Sequence, residues 1–393
     1  MVAAGDPTID RTQLAAKRLP IPFVDLKAQQ QHLRGGIDKA IARVLNHGQY
    51  IMGPEVFELE KQLAQFCGAK HVLSCSSGTD ALAIAMMAKG VGPGDAVLCP
   101  AFTYAATPES IAQLGATPVF VDVDDRTFNV DPFGLEAGLA VARKKSLRAV
   151  GLIAVDLFGL PADYDSLSTF CRDHNLWILA DAAQSFGAAI GGRKVGALGD
   201  IAATSFFPAK PLGCYGDGGA MFTGDDTIAG VMTSLRSHGT GEDKYDFQRI
   251  GVNGRLDTIQ AAILLEKMKI FAGELEQREQ IAQRYTGKLA SIEITTPVVT
   301  KGVKSAWAQY TVRIPGGRRD TVMRFLQAAG VPCMIYYARP LHRQSAYRHF
   351  PIAATGLPAT ERLSDDVLSL PMHPYLSEQD QDYIVEQVLL ALF

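Results

Sequence analysis

Apolar residues recur along this chain with two spacings, and the spacing changes from segment to segment. Between about Pro20 and Ala64 the residues Ile37, Ile41, Val44 and Leu45 repeat at the interval of a helix with one buried face. Beyond it, short apolar runs alternate with helical stretches. His71 to Ser74, Ala96 to Cys99, Pro118 to Val121, Ala149 to Asp156 and Leu176 to Ala180 predict strands. Thr79 to Lys89, Ala105 to Leu114 and Tyr164 to His174 predict helices. Asp200 to Phe206 and Gly219 to Phe222 add two strands, and a long helical region runs from about Thr258 to Leu289. Alternation of this kind gives an α/β protein with a mostly parallel sheet sandwiched by helices. Past about Thr295 the composition changes. Ala308 to Ile314 and Val331 to Tyr336 read as strands around the helix Asp320 to Ala329, and a helix from Glu378 to Leu392 closes the chain. The expected organisation is a flexible extension over residues 1–20, a large domain over 21–265 and a smaller α/β domain over 266–393.

Bulk properties narrow the function. The 393 residues are 47% hydrophobic and 20% charged, with a net charge of -3. That balance offers no basic footprint for nucleic acid or anionic membrane. No apolar run reaches the roughly 18 residues of a membrane span. The N-terminus lacks a signal-peptide core. The six cysteines form no C-x-x-C pair, which favours reduced thiols and a cytoplasmic location. The eight histidines show no helical pairing with carboxylates, so no metal site is expected.

The chemistry concentrates at predicted strand ends, where open α/β sheets bind ligands. Ser205-Phe-Phe-Pro-Ala-Lys210-Pro-Leu-Gly places a lysine among Phe207, Pro208, Pro211 and Leu212. Desolvation there should depress its pKa and make it an amine nucleophile. Ser76-Ser-Gly78-Thr79-Asp80 follows a strand and opens a helix, a position suited to a phosphate or to a plain N-cap. Asp181 ends an apolar strand and precedes Gln184; it is either a turn cap or a partner for a cationic ring nitrogen. Phe102 and Tyr104 follow another strand, as core aromatics or as a plate for a flat cofactor. Arg236, His238 and Gly239 read as a helix C-terminus and its loop. Cradle, aromatic, acid and lysine are each weak signals alone; together they point to pyridoxal 5'-phosphate.

From about Ile21 to Phe393 the chain resembles the DegT-type nucleotide-sugar aminotransferases, which are fold-type I pyridoxal phosphate transferases. The resemblance rests on Gly53-Pro-Glu55, Ser77-Gly-Thr-Asp-Ala-Leu82, Pro100-Ala-Phe-Thr-Tyr-Ala-Ala-Thr107, Asp181-Ala-Ala-Gln184, Ser205-Phe-Phe-Pro-Ala-Lys210 and Gly251-Val-Asn-Gly-Arg-Leu256. It implies that Lys210 forms the Schiff base with the cofactor, with pyridoxamine phosphate as the other form. It implies that Asp181 pairs with the ring nitrogen and that Gln184 reaches the phenolic oxygen. Gly78, Thr79 and Ser205 match the phosphate cradle, and Tyr104 the aromatic over the ring. Asn253 matches an asparagine that reaches the cofactor phosphate of a neighbouring subunit, which implies a homodimer with shared active sites. Relatives with histidine in place of the lysine dehydrate sugars; Lys210 argues for amino transfer.

The segment Tyr336-Tyr337-Ala-Arg-Pro340-Leu-His342-Arg-Gln344 resembles the branch that aminates carbon 3 of nucleotide sugars. By that resemblance L-glutamate donates the amine and leaves as 2-oxoglutarate. The acceptor would be a UDP-linked 2-acetamido-2-deoxy-3-oxo-glucuronate in bacterial surface-polysaccharide (O-antigen) synthesis. Arg255, His342 and Tyr337 are the expected substrate contacts, the first two facing a carboxylate. A dTDP- or GDP-linked 3- or 4-keto-deoxysugar remains the alternative substrate. A non-catalytic pyridoxal phosphate regulator is the alternative of a different class. A dinucleotide oxidoreductase fits less well, since no G-x-G-x-x-G opens the first strand–helix unit.

Overall fold

The computed structural model describes residues 20–243, 245–290 and 293–392. The expected N-terminal extension lies, but for Pro20, outside the described residues. In chain order the elements are α1 (Leu26–His47), α2 (Pro54–Cys67), β1 (His71–Cys75), α3 (Gly78–Ala88), β2 (Asp95–Pro100), α4 (Ala106–Gln113), β3 (Thr117–Val121), α5 (Leu135–Lys144), β4 (Arg148–Val155), α6 (Tyr164–Asp173) and β5 (Trp177–Asp181). There follow β6 (Ala189–Ile190), β7 (Arg193–Lys194), β8 (Ile201–Ser205), β9 (Gly219–Thr223), α7 (Asp226–Leu235) and α8 (Thr258–Leu289). The chain ends with β10 (Val303–Lys304), β11 (Tyr310–Arg313), α9 (Arg319–Ala328), α10 (Pro358–Asp366), β12 (Val367–Leu370) and α11 (Glu378–Leu392).

Seven strands form the main sheet in the order β1-β9-β8-β5-β4-β2-β3. Only β9 runs against the others, pairing antiparallel with both β1 and β8. Successive residues of each strand point to opposite faces, and the sheet has a core on each. Leu98, Leu152, Ala154, Ile178 and Ala180 meet α2, α5, α6 and the start of α8 on one side. Val97, Cys99, Ile153, Val155 and Leu179 meet α3, α4 and α7 on the other. β4 and β5 are held close by a glycine. A Cβ on Gly151 would lie 2.2 Å from the Trp177 ring, so no larger residue fits there.

Helix boundaries follow local chemistry. Asp25 accepts the Ala28 N–H to start α1, and Gly48, at φ 71°, ends it. Pro54 opens α2 and Gly68, at φ 80°, ends that helix. The sequence pattern leaves α5 unmarked because Gly138 sits in its middle. That glycine is a contact point: a Cβ there would come 2.8 Å from Val121 and 3.0 Å from Leu98.

The smaller unit carries its own core around Tyr285, Tyr310, Val312, Leu326, Leu368 and Leu370. α8 joins the two: Ala261 and Leu264 pack under the main sheet, and Ile281, Ala282 and Tyr285 pack in the smaller core. The expected division at 265/266 thus falls within one continuous helix. Residues from the far side of that division also return to the main sheet. Leu341, Leu357 and Leu363 join the same apolar core as Ile153, Val155 and Leu179, and Ile352 bridges Phe120 at the β3 edge. One expectation is corrected. Val331 to Tyr336 is not a strand; only Met334 makes a bridge, to Ser369. The partner of β11 is β12, in register from Tyr310–Leu370 to Arg313–Val367. β12 escapes the sequence pattern because it follows α10 directly, with no turn residue between them. All six cysteines are buried and unbridged.

Candidate active site

The carboxyl ends of β1, β2, β5 and β8 open on one edge of the sheet, since these strands share a direction. At the end of β1, Ser77 caps α3 by accepting the Asp80 N–H at 3.0 Å. Among the described residues the N–H groups of Gly78 and Thr79 have no hydrogen-bond partner. They stand at the positive end of the helix, where an anion is favoured. α3 is seated on the end of β8: a Cβ on Gly78 would lie 2.7 Å from the Ser205 Cβ. The expected cradle of Gly78, Thr79 and Ser205 is therefore brought together.

β8 leads into the lysine loop. The loop closes on itself through Lys210 N–H to the Phe207 carbonyl at 2.9 Å and Cys214 N–H to the Phe206 carbonyl at 2.8 Å. Gly213 is needed for this closure, because a Cβ there would meet the Phe207 and Pro208 carbonyl oxygens at 2.5 Å. Burial pushes the Lys210 amine below its usual pKa, while the charge of Asp181 works the other way. Asp181 is buried, and burial lifts its carboxyl above the usual range. Three groups oppose that lift: the Thr107 hydroxyl, which donates to Oδ2 at 2.9 Å, the Ala183 N–H, and Lys210. An amine of lowered pKa thus lies within the field of a buried carboxyl.

Gln184 is buried beside them. Its Oε1 accepts the Phe158 N–H at 2.6 Å, and its Nε2 points to the Tyr337 hydroxyl at 3.4 Å. Burial raises the Tyr337 phenol well above its usual pKa. The Tyr337 ring lies 6.1 Å from Phe102 and 6.4 Å from Tyr104. Tyr104 is 62% exposed.

The remaining expected residues sit elsewhere. Asn253 and Arg255 line a separate cleft of about 440 Å³ with Ile51, Ser76, Gly216 and Gln260. Arg255 Nε donates to Asn253 Oδ1 at 3.1 Å. The cleft touches the back of the cradle, where Ser76 N–H donates to the Gly254 carbonyl. His342 Nε2 lies 2.7 Å from Glu361 Oε1, which Arg343 also engages. Among the described residues no hydrogen bond or ion pair joins Asn253, Arg255 or His342 to Lys210, Asp181 or Gln184. Arg236 is a helix-end residue, as read from the sequence. It is buried and bonds Glu60 at 2.6 Å and the Ser74 carbonyl at 2.7 Å.

Two supporting residues went unassigned in the sequence. Thr107 holds Asp181; its hydroxyl in the first turn of α4, after a strand end, is the signal that was available. Asp156 directly follows β4, and its N–H donates to the Asp181 carbonyl at 3.1 Å. It accepts the Ser185 hydroxyl at 2.7 Å, the Ala162 N–H at 2.9 Å and the Tyr164 hydroxyl at 2.9 Å. Burial nevertheless pushes it up to about 7.

An anion cradle, a buried carboxyl and an amine of lowered pKa along one sheet edge fit pyridoxal phosphate: its phosphate, its ring nitrogen and its aldehyde call for those three groups. The fold is that of the fold-type I, pyridoxal phosphate-dependent aminotransferases. The chain belongs to the DegT/DnrJ/EryC1/StrS aminotransferase family, whose sequence pattern matches residues 31–389. It is 48% identical to the UDP-2-acetamido-2-deoxy-3-oxo-D-glucuronate aminotransferase of Pseudomonas aeruginosa, over 91% of this chain and 96% of that one. It is 40% identical to a pleiotropic regulatory protein of Geobacillus stearothermophilus, over 94% and 97% of the two chains. A family aminotransferase from Brucella abortus superposes with a TM-score of 0.92 at 48% identity, over 95% of this chain and 99% of that chain. NtdA of Bacillus subtilis, crystallised with bound pyridoxamine phosphate, superposes with a TM-score of 0.86 at 26% identity, over 96% and 86%. No helix among the described residues is long and apolar enough to cross a membrane.

Proposed function

We propose that this enzyme moves the amino group of L-glutamate to carbon 3 of a UDP-linked 2-acetamido-2-deoxy-3-oxo uronate, within bacterial surface-polysaccharide synthesis in the cytoplasm. The observation that carries the chemistry is the Lys210–Asp181 pair beside the Gly78 cradle. The likeness to the Pseudomonas enzyme supports the choice of sugar.

Pyridoxal phosphate supplies an aldehyde to carry the amine and an electron-withdrawing ring. The chain supplies the rest. The N–H groups of Gly78 and Thr79 and the Ser205 hydroxyl hold the phosphate. Asp181, oriented by Thr107, holds the proton on the ring nitrogen. Gln184 Nε2 donates toward the phenolic oxygen, and Tyr104 supplies the aromatic over the cofactor ring. The Lys210 amine, with its lowered pKa, accepts a proton from the α-carbon of the donor and returns it at the other end of the transfer.

Asn253 and Arg255 act in this reading from a second subunit. Tyr50, Ile51, Phe207, Phe247 and Ile250 are exposed large apolar side chains, and Ile51 lines the Asn253–Arg255 cleft. Exposed apolar side chains, one of them on the charged cleft itself, suit a two-fold interface. There Arg255 would meet the sugar carboxylate as a bidentate donor. His342, bonded to Glu361 in this chain, reaches substrate only if that hydrogen bond opens.

The test is turnover of the UDP-linked 3-oxo uronate with glutamate, following 2-oxoglutarate release. A strong preference for a neutral dTDP-linked 4-keto sugar would overturn the substrate. Likeness to the Geobacillus protein favours a regulatory role as second reading; it predicts bound cofactor without turnover of any keto-sugar.

A further inference from the structure

Gln184 is useful to a phenolic oxygen only with its NH2 pointing into the pocket, and nothing in its own side chain decides that. The turn after β4 decides it. Phe158 has φ 59° and ψ 7°, a left-handed conformation that a bulky residue adopts only when its surroundings impose it. In this conformation its N–H points at Gln184 and occupies the amide oxygen at 2.6 Å. A donor can face only the oxygen of an amide, so the NH2 is turned to Tyr337 and the pocket. Flipping the amide would set NH2 against N–H and leave both buried donors unpaired.

The turn is in turn held by Asn129. This residue is buried, and its side chain spans the turn: Oδ1 accepts the Leu157 N–H at 2.9 Å and Nδ2 donates to the Leu160 carbonyl at 2.9 Å. Those are the residues on either side of Phe158 and Gly159. The Phe158 ring is pinned edge-on against Phe128 at 5.3 Å. Gly159, at φ 100°, lets the chain pass Trp307, where a Cβ would come 2.7 Å from the backbone nitrogen.

We propose that Asn129 is a positioning residue for the cofactor site: it imposes the left-handed Phe158 conformation and so fixes Gln184 as a hydrogen-bond donor to the phenolic oxygen of the cofactor. This rests on the assignment of Gln184 to that oxygen in the proposed function. The experiment compares wild type, Asn129→Ala, Gln184→Ala and the double variant, all loaded with pyridoxal phosphate. The readouts are the visible absorption bands of the bound cofactor, its dissociation constant and the melting temperature of the apo-protein. Asn129→Ala should change the band ratio in the same direction as Gln184→Ala and weaken cofactor binding about tenfold, the scale of one hydrogen bond to a charged group. In the Gln184→Ala background the same substitution should change binding by less than about twofold. Asn129→Asp still accepts from Leu157 N–H but cannot donate to the Leu160 carbonyl. It should show a smaller change of the same sign if the alanine variant fails to fold. An Asn129→Ala effect of equal size with and without Gln184, or loss of apo stability with unchanged bands, would overturn the inference. If Gln184→Ala itself leaves the bands of wild type unchanged, the assignment of Gln184 fails instead, and the proposal with it.

Discussion

Gly78→Ala tests the cradle directly. Gly78 has ordinary helical geometry, so alanine there carries no backbone strain and gains about 1 kcal/mol of helix propensity. The cost is one of space. The added Cβ would lie 2.7 Å from the Ser205 Cβ and 3.2 Å from its Cα and Oγ. Carbon atoms in contact sit about 3.5–4.0 Å apart, so the start of α3 and the end of β8 must separate by about 1 Å. Rotating the Ser205 side chain does not relieve this, because Cα and Cβ are fixed to the strand. Separation by that amount stretches phosphate hydrogen bonds from about 2.9 Å past useful length. Each such bond to a charged group is worth about 1.5–3 kcal/mol. Losing the equivalent of one to two should weaken pyridoxal phosphate binding by about 3 kcal/mol, or about 100-fold. The assay is titration of the apo-protein with cofactor, followed by absorbance, beside a thermal melt. Gly230→Ala is the control: its Cβ meets nothing within 4 Å, and it should leave binding alone. A Gly78→Ala protein that folds normally and binds cofactor within about threefold of wild type would refute the seating of α3 on Ser205 as the source of the cradle.

Three further outcomes are expected. Lys210→Ala should keep the cofactor but lose transamination, and borohydride should attach the cofactor to Lys210 in wild type; a label on another lysine, read by peptide mass, contradicts the assignment. Gly151→Ala should destabilise the fold by about 1–3 kcal/mol in urea melts, because the Trp177 ring occupies the Cβ position. His373 is buried and its pKa is lowered to about 4. The unfolded chain takes up that proton first as pH falls from about 6.5, so the share of stability contributed by His373 should decline between about 6.5 and 4, by up to about 3 kcal/mol, while Asp156, raised to about 7, favours the fold as pH falls through the same range. The difference in stability between wild type and His373→Gln, from melts at the two pH values, isolates that share; a difference that does not change with pH would contradict it.

What the sequence reveals and what it hides divide along a physical line. Strand-end residues are legible because chain order alone places them. Asp181 and Lys210 each follow an apolar strand, and a parallel sheet carries every such end to one edge. The cradle is legible for the same reason: Gly78 and Thr79 stand between a strand and a helix. The secondary structure goes unread where packing overrides a local signal. Gly138 reads as a breaker, yet it is the point where α5 meets Leu98 and Val121. Val331 to Tyr336 is apolar enough for a strand, but the register opposite β11 belongs to β12.

The same line separates Gln184 from Arg255 and His342. Gln184 works within one chain, and its orientation depends on Asn129, which stands 55 residues earlier. No periodicity links the two; only the left-handed turn at Phe158 does, and a bulky aromatic is the last residue type to announce such a turn. Arg255 and His342 fail differently. In this chain their groups are taken up by Asn253 and Glu361, away from the lysine. Either these pairs are the resting state of a site completed by a second subunit, or the sugar is read by other groups. A single measurement separates the two. Mixing Lys210→Ala with Arg255→Ala subunits should restore about a quarter of wild-type activity if each pocket draws its lysine from one subunit and its arginine from the other. That share follows because half the dimers are mixed and each mixed dimer holds one intact pocket. No restoration would place Arg255 in its own chain's pocket or outside the site altogether.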